Sequence, residues 1–418
     1  MAMPSWYTEG LGHIWLPYTQ MKTTADPLAV KAADGVRLTL ADGRELVDGI
    51  SSWWAAAHGY GHPHITEAMK SQIDAMSHVM FGGMVNEPAL KLSKRLADML
   101  PGDLNRCFIA ESGSVSVEVA MKMAAQYFLN KGERRSKFVH FRDGYHGDTL
   151  ATMAVCDPDE SMHSHFDGLL ARNILADLPR TEEEAAAFTN MLIENAGDIA
   201  AVVTEPLVQG AGGMVFHGPE TLQWIRKACD QAGVLFIVDE IFTGFYRTGT
   251  RFAIDRAGIV PDMVTLSKAL SGGVGPLSVC VAREEIFQAF YDDDPMKALM
   301  HGPTYMGHAL GCAAANASLD LFEHEDYASK VAAIEAQLMS DLAPCGMLDN
   351  VKSVRVKGAI GVVQLEDASK INDLKPLFVD KGVWIRPFRD IVYLAPPLVI
   401  GAEDLSKLTS AIYSALSQ

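Results

Sequence analysis

Residues Val234–Glu240 read VLFIVDE, and residues Met263–Gly273 read MVTLSKALSGG. Each begins with an apolar run of strand length that carries no alternation, the pattern of a strand buried on both faces of a parallel sheet. Each run then ends on a charge, Asp239 in the first and Lys268 in the second. Runs of the same kind recur upstream as RCFIA (106–110), KFVHF (137–141) and IAAVVTEP (199–206). From about Gly61, helical stretches such as ITEAMKSQIDAM (65–76) and PALKLSKRLADML (88–100) alternate with short apolar runs. Strand, helix, strand is the rhythm of an α/β fold with a mostly parallel sheet. The polar residues follow these strands and do not interrupt them: Glu111-Ser112-Gly113-Ser114, Tyr145-His146-Gly147-Asp148, Glu205-Pro206, Asp239-Glu240 and Lys268. Ligands bind at the carboxyl ends of strands in open α/β sheets, so one edge of the sheet is expected to collect the chemistry.

A chain of 418 residues exceeds what one core usually organises, which predicts a large domain with a smaller partner. The boundaries expected are 1–60 for the N-terminal part of a small domain, 61–320 for a large α/β domain and 321–418 for a C-terminal small α+β part. VRLTLADGRELVDG (36–49) reads as two strands turning at Asp42-Gly43. SVRVKGAIGVVQLE (353–366) and GVWIRPFRDIVYLAPPL (382–398) read as strands of the small domain. The net charge of −17 disfavours a nucleic-acid surface, which needs clustered cations to neutralise phosphates. Six scattered cysteines without a C-x-x-C pair suit free thiols in a reducing compartment. The N-terminus has no basic stretch followed by an apolar core, so no secretory signal is expected and the cytoplasm is the expected location. Residues 298–319 lack Asp, Glu, Lys and Arg but contain Pro303, His301, His308 and Asn316, too polar and broken for a membrane span.

An apolar strand ending in Asp-Glu also occurs in P-loop ATPases, but those require a Gly-Lys pair in a phosphate loop. The chain has no Gly-Lys dipeptide, and GAGGMV (210–215) fails as G-x-G-x-x-G because Val215 stands in the last position. Asp239 taken alone also reads as a plain cap of the next segment. Asp239 and Lys268 taken together, ending two strand-like runs, read differently. A lysine able to form a Schiff base and a carboxylate able to keep a pyridine nitrogen protonated are what pyridoxal phosphate chemistry needs. Ser112, Gly113 and Ser114 open a helical stretch, where backbone amides favour a phosphate, although a serine there is also an ordinary N-cap. Tyr145 supplies a flat ring able to stack on the cofactor.

The set SGSVSVEVAMK (112–122), YHGDT (145–149), TEPLVQGAGG (204–213), DEIFTGFYRTG (239–249) and SKALSGG (267–273) resembles the class III, fold-type I pyridoxal phosphate aminotransferases. The resemblance implies a seven-stranded-type, mostly parallel sheet domain that binds the cofactor, with a smaller α+β domain formed by the two chain ends. ISSWWAAAHGYGHP (50–63), SHVMFGGM (77–84), HGPTYMGHALGCAAANASL (301–319) and residues 382–398 resemble the branch of that class acting in biotin synthesis. That likeness implies ping-pong transfer of an amino group from S-adenosylmethionine to 8-amino-7-oxononanoate. Alternatives are another class III ω-amino acid or diamine transaminase, the same biotin step with lysine as donor, or a non-catalytic binding protein, which the presence of both Lys268 and Asp239 disfavours.

By that resemblance Lys268 matches the Schiff-base lysine and Asp239 the pyridinium partner. Ser112, Gly113 and Ser114 match the phosphate cradle, Tyr145 the stacking ring, and Glu205 a carboxylate on the ring-hydroxyl side. Pro303 and Thr304 match a phosphate-binding loop donated by a second subunit, which implies a homodimer. Tyr18, Trp53, Trp54, Tyr145, Asp148, Arg247, Lys268, Gly302, Arg386 and Tyr393 match substrate-lining positions, and Tyr18 is counted with Lys268 and Asp239 as catalytic. Arg386 has the clearest physical basis, because a guanidinium holds a carboxylate by two parallel hydrogen bonds. By composition alone, Trp53 and Trp54 read more readily as core or interface residues, and Arg386 as a surface charge. The His62/His64 and His163/His165 pairs lack further ligands around them in sequence and read as structural, with no metal expected. Two residues depart from the family pattern: Tyr246 where glycine is usual and His308 where asparagine is common. GGVGPLS (272–278) resembles class III enzymes in general and leaves the amino donor open.

Overall fold

The apolar runs become neighbouring strands in the computed structural model, which describes residues 3–159, 163–369 and 371–418. The large sheet contains β1 (Leu104–Ala110), β2 (Lys137–Phe141), β3 (Ile174–Ala176), β4 (Ile199–Thr204), β5 (Leu235–Asp239), β6 (Met263–Leu266) and β7 (Ser278–Arg283). Their spatial order is β1-β7-β6-β5-β4-β2-β3. Every residue of β4, β5 and β6 is buried, which is why these strands carry no polar alternation. Only β7 runs against its neighbours β6 and β1. Residues 267–277, which join β6 to β7, are fewer than the dozen or more a parallel crossover needs, so the chain returns antiparallel. Neither β7 nor the three-residue β3 was expected from the sequence.

The Gly113–Asn130 helix buries Val117, Ala120, Met121, Ala124 and Phe128. These join Val203 of β4, Ile237 of β5, Met263 of β6 and Cys280 of β7 in one apolar cluster. The start of that helix is thereby fixed beside the carboxyl edge of the sheet.

The chain divides into two compact units, Pro63–Ala332 and the two ends Met1–His62 with Ala333–Gln418. The expected boundary at 320/321 falls inside the Ala309–His324 helix. In the unit made from the ends, strands 37–40 and 45–48 pair antiparallel around Asp42-Gly43, with Gly43 at φ +91°. Val383–Trp384 extends that sheet, parallel to residues 47–48. A separate antiparallel sheet joins Val351–Lys357, Ile360–Leu365 and Ile391–Leu394. Among the described residues no helix is long and apolar enough to cross a membrane. All six cysteines are free thiols, five of them buried.

Candidate active site

Register alone brings Asp239 beside the end of β6, where its Cα pairs with that of Thr265. Its carboxylate is held on both oxygens. Oδ1 accepts from Ile241 N at 3.1 Å and Thr265 Oγ1 at 3.3 Å, and Oδ2 accepts from His146 Nδ1 at 2.8 Å. Asp239 and His146 are 4% and 3% exposed. Burial pulls the His146 pKa down, but the hydrogen bond and charge of Asp239, with the charge of Glu205, outweigh it and leave the pKa raised. His146 is therefore the hydrogen-bond partner that orients Asp239. Its place in YHGD was visible in sequence, but its contact with a residue 93 positions away was not.

Lys268 opens a single 3-10 turn, Lys268–Ser271, immediately after β6. Its φ of +46° is a left-handed conformation that non-glycine residues rarely adopt. Loss of water around the amine lowers its pKa, while the charges of Asp239, Glu205 and Asp148 oppose that shift. Glu205 follows β4 and accepts from Tyr145 N at 2.9 Å and Gly210 N at 2.8 Å. Burial pushes its carboxyl up to about 7.

Ser112 caps the Gly113–Asn130 helix, its Oγ accepting from Val115 N at 3.4 Å. The first helical bond runs from Ser116 N to Ser112 O, so the Gly113 and Ser114 amides lie ahead of it at the positive end of an 18-residue helix. The YHGD loop closes onto this helix start. A Cβ added at Gly147 (φ +137°) would lie 2.0 Å from Ser114 Oγ, and one at Gly113 would lie 3.0 Å from Ile241 Cδ1. Tyr145 donates its hydroxyl to Asp148 Oδ1 at 2.9 Å, and its ring stacks on His163 at 6.0 Å. His163 Nε2 lies 3.2 Å from the same Asp148 oxygen. Gly302 and Thr304 are exposed and Pro303 is half-buried, with the Thr304 carbonyl 2.9 Å from His78 Nε2. Arg247 is buried, 2% exposed.

The unit made from the chain ends holds the remaining expected residues. Ser51, Ser52, Trp53 and Trp54 have φ of +51°, +48°, +57° and +73°, forming a left-handed turn closed by Trp54 N to Ile50 O and Ala55 N to Ser51 O. Such a conformation costs about 1–2 kcal/mol per residue, so tertiary contacts must hold it. Trp53 lies under the Arg386 guanidinium, 4.8 Å from ring centroid to Cζ, and Tyr18 meets it edge-on at 6.1 Å. Lys375 has its pKa lowered by burial and by the charge of Arg386, so two cations share this region. Tyr393, 2% exposed, packs edge-on to Trp54 at 6.0 Å and to Phe388 at 5.5 Å.

The family model of Aminotransferase class-III matches residues 18–416. The chain belongs to the class-III aminotransferases. It is 42% identical over 410 residues to the adenosylmethionine-8-amino-7-oxononanoate aminotransferase of Mycobacterium leprae, covering 96% of this chain and 94% of that one. It is 41% identical over 413 residues to the protein of that name from Buchnera aphidicola, covering 97% and 96%. Among solved structures, the adenosylmethionine-8-amino-7-oxononanoate aminotransferase of Methanocaldococcus jannaschii superposes with TM-score 0.92 at 32% identity, covering 99% and 98%. A PLP-bound amine transaminase from an uncultivated Pseudomonas species superposes with TM-score 0.90 at 30% identity, covering 97% and 98%.

This class-III aminotransferase accommodates both of its departures. Tyr246 sits at φ +70°, the conformation for which glycine is usually chosen, and its ring stacks on Tyr327 at 6.0 Å and packs against Phe322 at 5.9 Å. His308 caps the Ala309–His324 helix, Nδ1 accepting from Gly311 N at 3.3 Å. Asparagine in that place would accept the same bond.

Proposed function

We propose that this protein transfers an amino group from S-adenosylmethionine to 8-amino-7-oxononanoate, giving 7,8-diaminononanoate in biotin biosynthesis, with pyridoxal phosphate as cofactor. The observation that carries the chemistry is the Lys268 amine, its pKa lowered by lost water, among the charges of Asp239 and Glu205. The substrates rest on the shared name of relatives that match nearly all of the chain.

The residues fit pyridoxal phosphate. Gly113 and Ser114 would offer amides to its phosphate at a helix start against which the glycines at 113 and 147 let Ile241 and the YHGD loop pack closely. Asp239, oriented by His146, Ile241 and Thr265, would face the ring nitrogen, Tyr145 the ring plane and Glu205 the hydroxyl side. Bound there, the cofactor supplies an electron-accepting ring on which amino groups are exchanged. Lys268 would hold it, and its amine would move protons as a general base. A lowered pKa suits that task, since a base must be neutral to accept a proton. Arg386, stacked on Trp53 and near Lys375, is assigned to the remote carboxylate of the keto acid, with Tyr18, Trp54, Asp148, Arg247, Gly302 and Tyr393 around the substrates.

The protein acts as a cytoplasmic homodimer in this reading, with Pro303 and Thr304 serving the partner's cofactor phosphate. Its six free thiols suit a reducing compartment. A cavity of about 500 Å³ lined by Phe108, Phe287, Phe290, Leu299 and Met306 gives a second copy an apolar surface to cover.

Half-reaction spectroscopy tests the assignment. Each candidate amine is mixed with the purified holoenzyme, and loss of the cofactor's visible absorbance is followed. S-adenosylmethionine should discharge it and 8-amino-7-oxononanoate should restore it. Discharge by lysine or simple amines but not by S-adenosylmethionine would overturn the donor.

A further inference from the structure

We infer that Asp48 is a positioning residue for the keto acid, holding the left-handed turn that presents Trp53 to Arg386. The inference rests on the reading that Trp53 and Arg386 meet that substrate. Asp48 ends the Glu45–Asp48 strand and is 0% exposed, an expensive place for a carboxylate unless every lone pair is used. Oδ1 accepts from Ile50 N at 2.8 Å. Oδ2 accepts from Ser52 N at 3.1 Å and from the Tyr60 hydroxyl at 2.5 Å. Two of these three donors belong to the turn or its immediate entry, and the third, Tyr60, also reaches Ser52 Oγ at 2.6 Å. Ser51 Oγ completes the clamp by donating to Ala395 O at 2.7 Å.

Four consecutive non-glycine residues with positive φ are not a conformation the chain adopts on its own. Strain of this kind persists only where surrounding contacts over-determine it. What the turn achieves is a direction. It places the Trp53 ring beneath Arg386 and edge-on to Tyr18, and packs Trp54 on Tyr393. Without the carboxylate, the turn can relax to right-handed or extended backbone, which swings Trp53 away and leaves the guanidinium unsupported. Arg386 would then lose the orientation that a bidentate bond to a carboxylate demands.

The test measures both half-reactions of Asp48→Ala by stopped flow on the purified holoenzyme. The apparent dissociation constant for 8-amino-7-oxononanoate should rise about tenfold or more, while the S-adenosylmethionine half stays within about threefold. Adding Ser52→Gly, which removes the left-handed penalty at φ +48°, should recover most of the lost keto-acid affinity. If Asp48→Ala does not fold, Asp48→Asn keeps an acceptor for one N–H and should weaken the keto acid by about fivefold or more while the S-adenosylmethionine half stays within about twofold. Equal losses in both halves, an unchanged keto-acid constant, or no recovery with Ser52→Gly would each overturn the positioning role. Arg386→Ala is run alongside. If it weakens the keto acid while Asp48→Ala does not, only the positioning role falls; if it too leaves the keto acid unaffected, the substrate reading falls with it.

Discussion

At the residue scale the site depends on how few groups are left to move. Asp239 has both oxygens occupied by fixed donors, so it can hold a charge in place without reorganising as the reaction proceeds. Asp239→Asn keeps the shape but loses the charge and alters the hydrogen bond with His146. Its kcat should fall roughly a hundredfold or more, and a loss below about tenfold, or about 1.4 kcal/mol, in steady-state assays would show that Asp239 does not serve the ring nitrogen. Lys268→Ala should remove turnover while circular dichroism shows the fold retained, because a 3-10 turn at a strand end tolerates alanine whereas the proposed covalent hold on the cofactor does not. Arg386→Ala should weaken 8-amino-7-oxononanoate by about 2–4 kcal/mol, the cost of removing one partner of a partly buried charge pair, with far less effect on the S-adenosylmethionine half measured separately.

At the scale of elements, the decisive junction is the YHGD loop against the start of the Gly113–Asn130 helix. Gly147→Ala would drive a methyl group to 2.0 Å from Ser114 Oγ at a φ of +137°, so loop or helix start must shift. Cofactor titration should show affinity falling about tenfold or more, about 1.4 kcal/mol, with the Ser112 cap intact. At the Ala309–His324 helix the capping nitrogen of His308 is replaceable. Chemical denaturation should find His308→Asn close to wild type and His308→Ala about 1 kcal/mol less stable, the usual value of an N-cap.

At the scale of the whole molecule, buried acids couple stability to pH. Burial holds the carboxyl of Glu205 up at about 7 and that of Glu240 at about 8. Glu240 lies fully buried, bonded to Thr243 Oγ1 at 2.6 Å and Ile254 N at 2.9 Å. In the unfolded chain these groups release their protons near about 4.3. Between that value and the folded values the native state binds more protons, so their stabilising contribution is complete below the unfolded pKa and is lost as pH rises through the window. Denaturant midpoints taken from about pH 5 to 8 should therefore show a decline to which Glu240 contributes, and Glu240→Gln, neutral throughout, should flatten it.

The amino-acid sequence by itself determined which segments become the buried strands and which residues stand at their ends. A strand covered on both faces must be apolar at every position, and that is a local property readable in VLFIVDE and MVTLSK. Lys268 and Asp239 were legible for the same reason, as charges just past such runs. Neither β7 nor β3 was legible: the antiparallel direction of β7 is a pairing between segments, and β3 is too short to carry a pattern. Only the tertiary structure decided that His146 meets Asp239 across 93 residues, that Tyr246 finds ring partners at a glycine-like φ, and that Ser51–Trp54 turns left-handed. Each is set by contacts between segments distant in the chain, and the last opposes the local preference of the residues involved. Backbone preference and apolar periodicity act over a few residues, whereas a buried carboxylate such as Asp48 imposes its geometry through whichever donors the fold brings to it.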